Sequence, residues 1–113
     1  MKLNHLKLTV TDVLATHSFL QRYFDLKPLG KAGKNMGFLT DENGVVLSMF
    51  RADEVRYPEG FHIGFIQANA AKVDDINARL KADGYDVPPP SRQHGSWTFY
   101  FEAPGGFTVE VLS

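Results

Sequence analysis

The sequence predicts an α+β fold built from two similar halves. Each half begins with a strand-like alternation and an amphipathic helix, and each ends in a hairpin-like group of strands. The first strand of each half also carries a histidine at the equivalent position, His5 and His62. Such an internal repeat indicates one supersecondary unit that is used twice.

The composition limits the class of protein. A chain of 113 residues suits a single domain, and 43% hydrophobic with 22% charged residues is usual for a globular protein. Twelve basic residues against thirteen acidic ones argue against a nucleic acid or membrane partner. Because there is no cysteine, a metal would need His, Asp or Glu ligands. Without a signal-peptide pattern or a membrane-length apolar run, we expect a cytoplasmic protein.

The first predicted module covers residues 1–50 and opens with a strand. Apolar and polar residues alternate over residues 3–10, which places His5 on the face opposite Leu6, Leu8 and Val10. Thr11 and Asp12 supply side-chain oxygens that can cap a helix. The apolar residues of this helix form one stripe that we expect to be buried, namely Phe19, Leu20, Tyr23 and Phe24.

The rest of module one is predicted to form a hairpin. The helix ends before Pro28, and a glycine-rich connection leads to a strand over residues 38–40. The pair Asn43-Gly44 is typical of a two-residue turn and predicts a return into a strand over residues 45–50. We expect His17 on the solvated side of the helix.

A polar segment, residues 51–60, is predicted to be a linker, after which the pattern begins again in module two, residues 61–113. In the strand over residues 61–66, His62 lies opposite the main apolar residues, as His5 does in its own strand. Asn69 is the predicted cap of the second helix.

The end of module two carries a carboxylate in an unusual place. Residues 91–95, which include His94, are expected to form a loop before a strand over residues 97–102. We expect Trp97 of this strand to lie in the core. The last strand, residues 107–112, carries Glu110 among apolar residues. A charge there is costly unless it is paired or binds a metal.

The two modules differ at this position. When the turns before the last strands are aligned, Glu110 falls on Ser48 of module one. Only one module therefore has a carboxylate there.

Three segments, in this order, resemble the vicinal oxygen chelate superfamily, which includes glyoxalase I, fosfomycin-resistance thiol transferases, extradiol dioxygenases and bleomycin-resistance proteins. These segments are Asn4-His5-Leu6, Phe61-His62-Ile63 and the run from Phe99 through Pro104 to Glu110. The resemblance implies one glyoxalase-like domain over residues 1–113, with two βαβββ modules whose mixed sheets curl around a cleft. It also implies a homodimer, whose sites often use modules from both subunits.

The resemblance further implies that His5, His62 and Glu110 bind a divalent metal ion: iron, manganese, nickel, cobalt or zinc. Two imidazoles and one carboxylate leave open positions for two oxygens of a small-molecule substrate. Tyr100 and Ser48 would orient that substrate. Because Ser48 stands where glyoxalase I has a fourth ligand, the three-ligand set matches the thiol transferases and dioxygenases better.

Each candidate residue also has a structural interpretation. His5 can be a surface histidine, Glu110 a solvated or ion-paired carboxylate, and Tyr100 a half-buried aromatic side chain. Arg92 and His94 are candidates for substrate contact only through their expected loop position. The favoured function is a metal-dependent lyase, thiol transferase or dioxygenase. The alternative is a metal-free protein that sequesters a drug or metabolite.

Overall fold

The fold is α+β, as predicted, with two four-stranded mixed sheets and two helices in a computed structural model that describes residues 1–113. The elements are β1 (His5–Val10), α1 (Val13–Phe24), β2 (Lys27–Pro28), β3 (Met36–Thr40), β4 (Val46–Arg51), β5 (His62–Ile66), α2 (Ala70–Ala82), β6 (Ser91–Gln93), β7 (Ser96–Ala103) and β8 (Phe107–Leu112). Neither helix has the length and apolar character that crossing a membrane requires.

The chain divides into two compact units. Unit 1 contains Met1–Tyr57 with Pro104–Gly106, and unit 2 contains Pro58–Ala103 with Phe107–Ser113. Each unit holds one module of the predicted repeat. The assignment of the whole chain to one domain with a linker over residues 51–60 stays a prediction.

The two sheets have the same topology, which confirms the repeat of βαβββ modules. Their strand orders are β1-β4-β3-β2 and β5-β8-β7-β6, and in each sheet the first pair is parallel while the other two are antiparallel. Ser48 pairs with Lys7 on one side, as Glu110 pairs with Gly64. The register therefore makes Ser48 and Glu110 equivalent.

Unit 1 forms its core between α1 and one face of its sheet. The Asp12 carboxylate caps α1 by accepting a hydrogen bond of 3.0 Å from the backbone N–H of Ala15, as predicted. The apolar residues that are fully buried include Leu8, Val10, Leu20, Leu39 and Met49. Alternation along β1 therefore leaves His5, Lys7 and Thr9 on the opposite face.

His17 is buried, with 7% of its surface exposed, so the expectation of a solvated position was wrong. Its Nε2 donates to the carbonyl of Phe38 at 3.2 Å, and its Nδ1 accepts from the Gln21 amide at 2.9 Å. The reason is helical spacing, since residue 17 lies one turn from both Val13 and Leu20 on the buried stripe.

Unit 2 repeats this arrangement with α2 against its sheet. The Asn69 side chain accepts from the backbone N–H of Lys72 at 3.0 Å, which confirms the second predicted cap. The apolar core of the unit contains Val73, Leu80, Phe99, Val109 and Val111. Trp97 is only half-buried, which corrects the expectation that it lies in the core.

The segment expected to be a loop before β7 begins as a strand. Residues Ser91–Gln93 form β6 and pair with β7 through a turn at His94 and Gly95. His94 has a φ of 51°, in the left-handed region that a two-residue hairpin turn requires. This tight hairpin replaces the predicted loop.

Candidate functional site

A histidine and a glutamate meet on the face of the unit 2 sheet that lies opposite α2. The Nε2 atom of His62 on β5 lies 3.4 Å from Oε1 of Glu110 on β8. The His62 side chain is 38% exposed and the Glu110 side chain 12%. Since 3.4 Å is long for a hydrogen bond, the two atoms face each other without a tight ion pair.

The other ring nitrogen of His62 is held by the backbone. Nδ1 lies 2.9 Å from the carbonyl oxygen of Gly60. A carbonyl can only accept, so Nδ1 donates to it, and in the neutral imidazole Nε2 is then the lone-pair atom that faces Glu110. This is the arrangement that orients a metal-binding histidine.

The Glu110 carboxylate is fixed by two neighbours on β7. The Thr98 hydroxyl donates to Oε2 at 2.7 Å, and Tyr100 is the register partner of Glu110. The Tyr100 ring also meets His62 edge to face, with 5.2 Å between the ring centroids. Burial raises the pKa of the Tyr100 hydroxyl, and the hydrogen bond and negative charge of Glu110 raise it further. Tyr100 therefore keeps its proton.

The geometry of His62 and Glu110 fits two ligands of one metal ion. Two donors that share an ion through bonds of about 2.1 Å lie roughly 3.0 to 3.4 Å apart. The observed separation of 3.4 Å is at the upper end of this range. Neither unit by itself brings together three or more His, Asp or Glu side chains that could hold a metal.

The other predicted residues lie in unit 1. His5 on β1 is exposed, and its Nδ1 donates to the Asn4 side-chain oxygen at 2.9 Å, as Nδ1 of His62 donates to a backbone carbonyl. Ser48 on β4 is buried, and its hydroxyl oxygen lies 3.5 Å from the Leu6 carbonyl. His5 and Ser48 are not register partners, because His5 pairs with Val46.

The face of the unit 1 sheet that carries His5 also carries an aromatic pair. The rings of Phe38 and Phe50 meet edge to face with 6.1 Å between centroids. The Lys7 ammonium lies 4.3 Å from the Phe50 centroid, in a cation–π contact. This face is therefore aromatic and cationic, whereas that of unit 2 carries a carboxylate.

A cavity of about 220 Å³ lies elsewhere in unit 1, at the N-terminus of α1. It is lined by Thr11, Asp12, Val13, Leu14, Lys34 and Arg51. None of the predicted site residues lines it.

Thr98 is the residue of the site that sequence reasoning did not select. The sequence offers one indication of its position: alternation along β7 predicts that Thr98 shares a face with Tyr100. Its bond to Glu110 depends on the register of β7 against β8, which the sequence does not state.

The fold and the site together define a class of protein built from two βαβββ modules, with histidine on the first strand of each module and glutamate on the last strand of the second. A family model described as the Glyoxalase/Bleomycin resistance protein/Dioxygenase superfamily matches residues 2–111, and the chain belongs to this family. The resemblance seen in the sequence is thereby confirmed.

Solved structures share this fold. The chain is 47% identical to a possible glyoxalase from Bacillus cereus, with a TM-score of 0.93 over 100% of this chain and 99% of the other. It is 22% identical to lactoylglutathione lyase from Agrobacterium tumefaciens, with a TM-score of 0.77 over 98% and 92%. A variant of the fosfomycin resistance protein FosX from Listeria monocytogenes, complexed with Mn(II) and 1S,2S-dihydroxypropylphosphonic acid, is 24% identical, with a TM-score of 0.81 over 98% and 90%. A search of curated proteins found no match.

Proposed function

We propose that the protein is a divalent-metal-dependent enzyme that acts on a small molecule with two neighbouring oxygens. The observation that carries this proposal is the pair His62 and Glu110, whose Nε2 and Oε1 atoms face each other at 3.4 Å. The second polar atom of each side chain is already hydrogen-bonded, His62 Nδ1 to the Gly60 carbonyl and Glu110 Oε2 to the Thr98 hydroxyl. Nε2 and Oε1 are therefore the two atoms available to a shared ion.

His5 is proposed as the third ligand, since its Nδ1 is also engaged and its Nε2 is free. A bound divalent ion would act as a Lewis acid that stabilises negative charge on the substrate. The Tyr100 hydroxyl, which keeps its proton, would donate a hydrogen bond to a substrate oxygen and orient it. Ser48 is proposed as a weaker orienting group in unit 1.

Metal content tests this proposal directly. Protein purified without chelator should hold about one ion of iron, manganese, nickel, cobalt or zinc per chain, and His62→Ala should hold less than about half of that. His94→Asn is the matched control, because it removes another histidine and asparagine tolerates the left-handed φ of this position. Elemental analysis of the three proteins gives the result.

A low metal content that is the same in the wild type and in His62→Ala, and that added metal does not raise, would contradict the enzyme proposal. Where metal is bound, the reaction is sought with three probes: the hemithioacetal of an α-oxoaldehyde with glutathione, fosfomycin with a thiol, and a catechol with dioxygen. Turnover that EDTA abolishes and metal restores would distinguish lyase, transferase and dioxygenase chemistry.

A second candidate function is metal-free sequestration of a drug or metabolite. The observation that favours it is the aromatic pair Phe38 and Phe50 beneath Lys7, a face suited to a flat or anionic ligand. Bleomycin binding that is unaffected by EDTA and by His62→Ala, but lost in Phe50→Ala, would support this function over catalysis.

We further propose a cytoplasmic homodimer. The resemblance supports pairing, and large exposed apolar side chains such as Leu3 and Ile66 are consistent with a covered surface. Light scattering should give twice the chain mass. A mixture of His5→Ala and His62→Ala then tests where the third ligand comes from, because mixed dimers regain a complete metal site only when the site uses both subunits.

A further inference from the structure

Thr98 is a buried polar residue with a single bond partner. It is fully buried, and its hydroxyl donates to Oε2 of Glu110 at 2.7 Å. The bond runs diagonally across the sheet, because the register partner of Thr98 is Leu112 and that of Glu110 is Tyr100. A charged acceptor makes this one of the stronger hydrogen bonds of the unit.

The hydroxyl of Thr98 and the carboxylate of Glu110 are both missing from the equivalent positions of unit 1. In unit 1, Met36 pairs with Phe50 as Thr98 pairs with Leu112, so Met36 is the equivalent of Thr98. The equivalent of Glu110 is Ser48. Unit 1 therefore lacks both the carboxylate and its donor, although the two sheets share one topology.

We propose that Thr98 is a positioning residue of the metal site, which holds Oε2 of Glu110 so that Oε1 alone is directed toward His62 Nε2. This inference rests on the proposed function. The terminal torsion of a glutamate is broad, so an unheld carboxylate samples many orientations. Thr98 removes this freedom and keeps the second oxygen away from the ion, which leaves coordination positions for the two oxygens of a substrate.

Metal affinity of designed variants tests this role. Thr98→Val keeps the side-chain shape and removes the hydroxyl, whereas Thr98→Ser keeps the hydroxyl. We expect Thr98→Val to weaken cobalt(II) affinity by about 10- to 100-fold and Thr98→Ser by less than about threefold. Competition with a chromophoric chelator measures the affinity. The visible cobalt(II) spectrum should change in Thr98→Val only, because Oε2 of Glu110 is no longer held by the Thr98 hydroxyl.

Thr16→Val is the matched control. Thr16 is equally buried, but its hydroxyl donates to backbone carbonyls in unit 1. We expect it to lower thermal stability and leave cobalt(II) affinity unchanged. Equal losses of affinity in Thr98→Val and Thr16→Val would show a general effect of stability and overturn the positioning role.

Two further outcomes separate this inference from the proposed function. Wild-type affinity and an unchanged spectrum in Thr98→Val, with binding lost in His62→Ala, would overturn the role of Thr98 and leave the metal site standing. Failure of the wild type to bind cobalt(II) in a way that depends on His62 would overturn the proposed function and this inference together.

Discussion

Gly105 is the glycine at which an added side chain should lower the free energy of unfolding most. It lies in the turn before β8 and has a φ of +103°. A Cβ there would overlap the Thr16 hydroxyl and lie 3.1 Å from Val10 Cβ. The Thr16 hydroxyl cannot move freely, because it donates to the carbonyls of Asp12 and Pro104. The turn itself is held in place, because the Gly105 carbonyl accepts from Thr11 N–H at 3.2 Å.

Two costs add in Gly105→Ala. A non-glycine residue in the left-handed region costs about 1 to 2 kcal/mol. Steric overlap in a packed environment costs about 1 to 3 kcal/mol more. The sum of about 2 to 5 kcal/mol is a large part of a total stability of roughly 5 to 15 kcal/mol. For a chain of this length, the melting temperature should fall by roughly 8 to 20 °C.

Urea denaturation of Gly105→Ala and of Gly60→Ala separates the two costs. Gly60 also has a positive φ, of +87°, but nothing lies within 4 Å of its added Cβ, so it reports the conformational cost alone. In a Thr16→Ala background the overlap is relieved, and the cost of Gly105→Ala should shrink by about 1 kcal/mol or more. Equal effects of the two glycine variants, or an unchanged cost in the Thr16→Ala background, would refute this reasoning.

Two other predictions concern the site in unit 2. The raised pKa of Tyr100 means that folding favours the neutral phenol, so in metal-free protein this contribution to stability is complete below the unfolded pKa of about 10 and is lost as the pH rises through the higher folded value. Tyr100→Phe should therefore flatten the alkaline fall of the free energy of unfolding, and a fall of the same size in this variant would contradict the shift. Gly64→Lys places an ammonium beside Glu110 and should lower metal content, whereas Gly64→Ala, whose Cβ would lie 3.9 Å from Oε1 in ordinary contact, should not. Elemental analysis decides, and equal metal contents would count against Glu110 as a ligand.

The sequence was sufficient to predict the faces of the strands in unit 2. Alternation has a period of two, so placing Val109 and Val111 in the core directs Glu110 to the opposite face. The same rule places Tyr100 opposite Phe99 and Phe101, and the register shows that this face is also the face of Glu110. Both helix caps were also predicted, because the capping bond is local in sequence.

What the sequence did not reveal depends on tertiary contacts or on weak local signals. The polar side chain of His17 favoured a solvated position, yet Phe38 and Gln21 satisfy both ring nitrogens inside the core. The strands β2 and β6 are short and exposed, so neither shows the alternation that identifies a strand. The hydrogen bond between Thr98 and Glu110 could not be predicted either, because it depends on the register of β7 against β8.

The difference between the two units explains why a fourth ligand at position 48 is not expected. A carboxylate there would be buried beside the register partner Lys7, whose ammonium has no carboxylate partner, and the two would form an ion pair. At the equivalent position unit 2 has Gly64, which places no charge beside Glu110 and leaves its Oε1 atom facing His62. The two equivalent positions therefore differ in charge, with a lysine in unit 1 and a glycine in unit 2. Under the proposed function, the face of unit 1 suits an anionic or aromatic group, and the face of unit 2 suits a metal ion.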